Sequence, residues 1–137
     1  MPAAGDLLAF GRRVLAQQPF SVLLGTRLQQ LEPGRAVLTL ALDDRLRQQH
    51  GFAHGGVISY LADNGLAYVG GSVLGNVVTS EYKINYLRPA TGQQLVARAT
   101  ILSASKRQAV CECRVYAVDN EDEKLVAVAQ GTIARVG

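Results

Sequence analysis

The longest helical pattern in the chain covers residues 54–71. A helix that is apolar on almost every side belongs in a core rather than on a surface. At about 1.5 Å per residue it would be roughly 27 Å long, which is enough to cross a small domain. The pattern therefore predicts a long central helix in the core. Its apolar residues are Val57, Ile58, Tyr60, Leu61, Leu66, Ala67, Tyr68 and Val69.

A shorter helical pattern comes first in the chain. We expect this first helix to stop before Pro19, because the residue before a proline avoids the helical region. Its apolar residues at helical spacing are Leu7, Leu8, Gly11, Val14 and Leu15.

Six β-type patterns occupy most of the remaining chain. Residues 21–31 and 35–42 precede the central helix and are joined by a turn containing Pro33 and Gly34. Residues 43–53 are mostly polar and predict a loop. Four β-runs follow the helix, at residues 77–87, 93–102, 108–118 and 125–136, with residues 119–123 as a hairpin tip.

This order of elements predicts an α+β fold in which an antiparallel sheet wraps around one long helix. We expect a single domain over residues 1–137, with residues 1–18 as an N-terminal helix that precedes the core.

Composition excludes several classes of partner. The chain is 48% hydrophobic and 18% charged, an ordinary balance for a globular protein. Its formal charge of +3 is too weak for a nucleic-acid-binding protein, although it suits a small anionic ligand. No apolar run approaches the length of a membrane span, so we expect no membrane partner.

Two cysteines, Cys111 and Cys113, lie on the same face of a predicted strand and cannot easily form a disulfide. We expect them to be small core residues. With only His50 and His54 to add, they make no zinc site, so we expect neither metal nor cofactor. The first residues lack the basic start of a signal peptide, and a reducing cytoplasm is the expected location.

Candidate chemistry lies on the central helix. Asp63 interrupts the apolar run, and a carboxylate in such a place is costly unless it is partnered or used. Gly55 and Gly56 open the helix, where first-turn N–H groups have no intrahelical partner and can bind an oxyanion. The helix therefore carries a candidate base and a candidate oxyanion hole.

The motif resembles that of the PaaI-like acyl-CoA thioesterases, which have the hotdog fold. An amide residue, Gln48, is followed by His54-Gly55-Gly56 and by Asp63, nine residues after the histidine. The segment Asn85-Tyr86-Leu87-Arg88-Pro89-Ala90 is also similar to the family's strand that ends in a Pro-Ala turn.

The resemblance implies hydrolysis of an acyl-CoA thioester, with a small aromatic or medium-chain acyl group. Asp63 would be the general base or the nucleophile, and the Gly55 N–H would polarise the carbonyl. Gln48 would help to hold the carbonyl or the water. Thr79 matches the family's assisting hydroxyl on the next strand, and Ser80 is its neighbour. The ring of His54 would bind the carbonyl oxygen or fix the turn.

Further residues are expected to contact the substrate. Gly56 and Asn64 adjoin the groups above, although Asn64 lies about 100° around the helix from Asp63. The CoA phosphates need cations, and the candidates are Arg88, Lys106 and Arg107.

Helix geometry also predicts the assembly. Asp63 lies eight residues beyond Gly55, or roughly 12 Å along the helix. A base must come within about 3 Å of the atom on which it acts, so one helix cannot serve one small thioester with both groups. Two antiparallel copies can, which predicts a homodimer. The resemblance implies the same composite site, often in dimers paired into a homotetramer.

Two other functions stay open from the sequence. The fold could support a non-catalytic module that binds acyl-CoA. A hotdog hydratase or dehydratase ranks lower, because Asp44, six residues before His50, lacks matching surroundings.

Overall fold

The protein is described by a computed structural model that covers residues 4–137. Three helices, a one-turn 3₁₀ helix and six strands follow one another in the described chain. The helices are α1 (Ala4–Ala16), α2 (Pro19–Leu24) and α3 (Gly55–Leu74), and the 3₁₀ turn is Asp44–Leu46. The strands are β1 (Arg27–Glu32), β2 (Arg35–Ala41), β3 (Val77–Tyr86), β4 (Gln94–Ala104), β5 (Gln108–Asp119) and β6 (Asp122–Arg135). Residues 1–3 of the predicted N-terminal helix lie outside the described range.

The six strands form one antiparallel sheet in the order β1-β2-β4-β5-β6-β3. Both β1 and β3 are therefore edge strands. α3 packs across this sheet, with contacts to every strand. The predicted α+β arrangement of a sheet around one long helix is thus confirmed.

α3 begins and ends at identifiable signals. His54 is its N-cap, with extended backbone angles, and the positive φ of 91° at Gly75 ends it after Leu74. The helix is three residues longer at its C-terminus than predicted. It is also not buried on every side: Ile58, Leu61 and Leu66 are in the core, but Asp63, Asn64 and Ala67 are only half-buried.

A β-bulge interrupts β3 at Ser80, where the pairing with β6 shifts between Thr79 and Glu81. A bulge adds one residue to a strand and reverses which side chains face the sheet's interior beyond it. Val77 and Thr79 face α3 before the bulge, whereas Tyr82 and Ile84 do so after it. Ser80 itself is exposed.

The prediction of a strand over residues 21–31 is wrong in its first half, which forms α2. Pro19 stands in the first turn of that helix, where its missing N–H costs nothing, and Gly25 ends it with a φ of 80°. The apolar residues that suggested a strand, Phe20, Val22 and Leu23, are exposed on this helix.

Other differences are small. The predicted loop over residues 43–53 contains the 3₁₀ turn and a bridge between Arg47 and Ala53. β6 begins three residues earlier than predicted, because the hairpin tip is a tight turn in which Asn120 has a φ of 57°. Within residues 4–137, no helix has the length and apolar character needed to cross a bilayer.

Both cysteines are buried and free, as predicted. Burial raises the pKa of Cys111 to about 11 and, with the nearby Glu112, that of Cys113 to about 12. Both therefore stay protonated at neutral pH and are part of the core.

Candidate active site

Three side-chain contacts connect α3 to the edge strand β3, at every fourth residue of the helix. Gly55 accepts a hydrogen bond at its carbonyl from the Tyr86 hydroxyl at 3.0 Å, and the Ser59 and Tyr82 hydroxyls lie 2.5 Å apart. Positions four apart lie on one side of a helix. The third contact on this side is made by Asp63.

Asp63 is held by Thr79, whose hydroxyl donates to carboxylate oxygen Oδ1 at 2.7 Å. The bulge at Ser80 follows directly, and bulges often re-aim side chains beside active sites. Thr79, and not Ser80, therefore contacts the candidate base. Because the other carboxylate oxygen has no hydrogen bond within residues 4–137, it can accept a proton or attack a carbon atom.

The neighbouring Asn64 has different partners, as its position around the helix predicts. Its amide nitrogen donates to the Tyr60 hydroxyl at 3.1 Å. Tyr60 also bonds the hydroxyls of Ser21 and Thr26, at 2.6 and 2.7 Å. Asn64 thus belongs to a polar network between α3 and α2 rather than to the Asp63–Thr79 pair.

The start of α3 leaves one backbone donor free. His54 Nδ1 accepts from the Gly56 N–H at 2.9 Å, so a neutral ring carries its proton on Nε2. The Val57 and Ile58 N–H groups bond the His54 carbonyl. Within the described chain, no atom accepts a hydrogen bond from the Gly55 N–H. This N–H is therefore available to an external oxygen, with the positive end of the helix dipole behind it.

Tyr86 and His54 fix the peptide group that follows this donor. Tyr86 holds the carbonyl of Gly55, and His54 holds the N–H of Gly56, which belongs to the same peptide. Hydrogen bonds therefore fix both the C=O and the N–H of this peptide group in the first turn of α3. His54 is exposed, so its second ring nitrogen faces outward.

Gln48 is half-buried, and its side-chain oxygen accepts hydrogen bonds from its own loop. Oε1 accepts from the N–H groups of His50 at 2.6 Å and Phe52 at 3.4 Å. Because its oxygen is used in this way, the amide N–H₂ is the part of Gln48 that can reach outward. The same loop carries Asp44 and His50, both of which are exposed.

The candidate cations lie at opposite ends of the sheet. Arg88 follows β3, near the start of α3, whereas Lys106 and Arg107 form the β4–β5 turn. The Arg107 carbonyl accepts a hydrogen bond from Arg135, which pairs with Val77 at the other end of β3. All three predicted cations are exposed. One chain therefore does not bring all of them to a single phosphate group.

The described part of the chain contains no cluster of three His, Cys, Asp or Glu residues that could bind a metal ion.

Gly55 and Asp63 stand on the same helix, eight residues or roughly 12 Å apart. One chain therefore carries two separate candidate half-sites. One contains Asp63 and Thr79, and the other contains the Gly55 N–H.

Sequence reasoning missed Ser59, Tyr82 and Tyr86. The spacing of Gly55, Ser59 and Asp63 at every fourth residue was a signal for the helix side of these contacts. The strand side carried no such signal, because the bulge sets which β3 residues face the helix.

Comparison with known proteins agrees with this architecture. A family model described as the thioesterase superfamily matches residues 50–124. Acyl-coenzyme A thioesterase PaaI of Escherichia coli is 30% identical over 115 residues, which cover 83% of this chain and 80% of PaaI. Medium/long-chain acyl-CoA thioesterase YigI of Salmonella typhimurium is 28% identical over 152 residues, with 96% and 95% covered. The solved structure of a thioesterase family protein from Silicibacter pomeroyi has a TM-score of 0.90 at 32% identity and covers 98% of this chain and 100% of that one.

The fold and the matching family model define a hotdog enzyme of the thioester-cleaving class. The chain belongs to the thioesterase superfamily, among the PaaI-like proteins, and is a thioesterase. The sequence-based expectation of an enzyme is thus confirmed.

Proposed function

We propose that this protein hydrolyses acyl-CoA thioesters at a site shared by two antiparallel copies of the chain. The observation that supports this most directly is the pair of half-sites on one helix. The Asp63 carboxylate is oriented by Thr79, and the Gly55 N–H has no acceptor within residues 4–137. Each is a recognised requirement for acyl transfer, but they are too far apart to act together within one chain.

The chemistry follows from the two groups. Asp63 removes a proton from water while the oxygen attacks the carbonyl carbon, and the charge on the carbonyl oxygen is bound by the Gly55 N–H. The intermediate then expels the CoA thiolate, which takes the proton from Asp63, leaving free acid and CoA. In the alternative, Asp63 attacks directly and water hydrolyses the resulting anhydride. Incorporation of ¹⁸O from labelled water into Asp63 after a single turnover would identify Asp63 as the nucleophile, because a general base gains no oxygen from water.

The edge strand β3 offers the contact that would join two copies. It is ten residues long and pairs with β6 on one side only, which leaves a row of backbone groups free. α3 is fixed to β3 by contacts at Thr79 and Tyr86. A two-fold axis near Tyr82 and Lys83, midway between these contacts, would place Asp63 beside Gly55 of the partner subunit.

The same pairing would bring the cations together. Arg88 follows the C-terminal end of β3. In the antiparallel pair, this end would lie beside the N-terminal end of β3 in the second copy, where Lys106 and Arg107 of that copy stand. These residues would bind the CoA phosphates. For the acyl group, the name of YigI supports a medium-length or long chain, whereas a small aromatic group and the pairing of dimers into tetramers stay predictions.

Asp63→Asn tests the proposed function. It keeps the shape and the Thr79 contact but removes the base, so we expect thiol release from a panel of acyl-CoAs to fall at least about a hundredfold. A thermal melt checks the fold, and Asp122→Asn, at an exposed position, controls for the lost charge. Activity of Asp63→Asn within a few-fold of the wild type would refute the assignment.

A further inference from the structure

An open groove of about 570 Å³ lies between α1, α3 and the start of β3. Such a volume falls in the range of small-molecule sites, roughly 300–1,000 Å³. Of the site residues predicted from the sequence, Asn64 alone lines it. Its floor is formed by Asn64, Ala67 and Gly71, and apolar residues of its walls are Leu7, Phe10, Val14, Leu74 and Val77.

The groove lies next to the Asp63–Thr79 pair along α3 and β3, although neither of these two residues lines it. Ala67 is four residues after Asp63, so the two are neighbours on one side of α3. Val77 is two residues before Thr79 and also faces α3, roughly 6.6 Å away along the strand. The groove thus begins one helical turn beyond the Asp63 carboxylate.

Small residues keep this space open. The side of α3 that contacts β3 continues from Asp63 through Ala67 to Gly71. A Cβ atom at Gly71 would make an ordinary contact, 3.5 Å from Val77 Cγ2. A larger residue at position 67 would fill the groove.

Polar residues lie at both ends of the groove, Gln18 and Asn64 at one and Asn76 and Arg135 at the other, and apolar residues line the stretch between them. α1 runs antiparallel to α3, because the Tyr68 hydroxyl donates to the Gly11 carbonyl while Ser21, beyond α1, bonds Tyr60. Gln18 therefore lies at the end near Asp63 and Asn64, and Leu7 at the far end. Of the described lining residues only Arg135 is charged, and it is exposed.

We propose that this groove binds the acyl chain of the substrate, with the thioester at the Asp63 end and the methyl end towards Leu74. This inference rests on the proposed function and specifies its substrate. The α3 lining of the groove extends from Asn64 to Leu74, a rise of roughly 15 Å along the helix. That length suits an extended medium-length alkyl chain, whereas a single aromatic ring would occupy only its beginning.

Ala67→Phe, which fills the groove, tests the proposal against Val73→Phe, at an exposed position on the same helix outside it. We expect Ala67→Phe to lower kcat/KM for decanoyl-CoA by about tenfold or more relative to butanoyl-CoA, because losing the burial of even two methylenes has that effect. Val73→Phe should leave this ratio unchanged. Phe10→Ser, at a partly exposed wall position, repeats the test from α1 if Ala67→Phe does not fold, with Leu23→Ser as its control.

A binding measurement separates the groove from the hydrolysis. Calorimetric titration with free decanoate should show binding to the wild type and to Val73→Phe, and binding at least about tenfold weaker to Ala67→Phe. The groove proposal is overturned if the wild type binds no decanoate or if both variants bind it equally. It is also overturned if Ala67→Phe alters only the oligomeric state, since a second copy would then cover the groove. Failure of hydrolysis with every acyl-CoA, but with selective decanoate binding, would refute only the proposed function.

Discussion

At the scale of single residues, the free N–H of Gly55 can be removed with little disturbance. Proline lacks this N–H and is favoured in the first turn of a helix. The residue before a proline must be extended, and His54 already has a φ of −63° and a ψ of 136°. Gly55→Pro therefore removes one hydrogen-bond donor, the N–H of residue 55, while the backbone at this position already suits proline.

We predict that Gly55→Pro lowers kcat for acyl-CoA hydrolysis by about a hundredfold to a thousandfold, the usual cost of losing one oxyanion donor. Gly55→Ala is the matched comparison, because it keeps the N–H and its Cβ would meet the Tyr86 ring at an ordinary 3.6 Å. Steady-state kinetics and a thermal melt of both variants check this. Equal losses in the two would mean that the position matters for packing and not for its N–H.

The resemblance to the family was sufficient to propose some site residues. The nine-residue interval from His54 to Asp63 matched the family's motif, and Thr79, which matched its assisting hydroxyl, bonds Asp63. The contact of Tyr86 with Gly55 was not predicted, because it depends on which β3 side chains face the helix beyond the bulge. A sequence shows the alternation of a strand but not the extra residue that reverses it.

At the scale of elements, α3 approaches the sheet closely at one glycine and not at the next. A Cβ at Gly70 would lie 2.5 Å from Ile133 Cγ2, in the buried centre of β6, whereas at Gly71 the nearest atom is 3.5 Å away. At both positions glycine destabilises the helix by the same amount relative to alanine, because of its greater backbone freedom.

We predict opposite effects for alanine at these two positions. Gly71→Ala should raise the free energy of unfolding by about 0.5–1 kcal/mol, through helix propensity. Gly70→Ala gains the same propensity but overpacks against Ile133, which costs about 1–3 kcal/mol, so its net effect should be destabilising. Urea unfolding at fixed protein concentration measures both. A change of the same sign in the two variants would contradict the close approach.

Elements with strong patterns were predictable, and a short one was not. α3 and five strands were located by periodicity and by their Gly and Pro boundaries. α2 was mistaken for part of a strand because Phe20 and Val22 alternate with smaller residues, and six residues are too few for a helical period. The groove between α1 and α3 could not be predicted, since it depends on how the two helices pack.

At the scale of the whole molecule, the two half-sites predict how mutant chains should behave when mixed. Gly55→Pro removes one half-site and Asp63→Asn the other. Because Gln48 uses its side-chain oxygen within its own loop, Gly55→Pro is a cleaner partner than Gln48→Ala. In an antiparallel dimer, a mixed pair would hold one intact site and one doubly damaged site.

We predict that unfolding and refolding equal amounts of Gly55→Pro and Asp63→Asn together restores about a quarter of wild-type activity. Half of randomly paired dimers are mixed, and half of their sites are intact. Each variant refolded alone is the control and should stay inactive. In a second mixture, a chain carrying both substitutions is refolded with an equal amount of the wild type. A shared site again predicts about a quarter, because every site in a mixed dimer then lacks one group, whereas a site within one chain predicts about a half. Activity of nearly zero in the first mixture and a half in the second would place the whole site in one chain and refute the antiparallel pairing of β3.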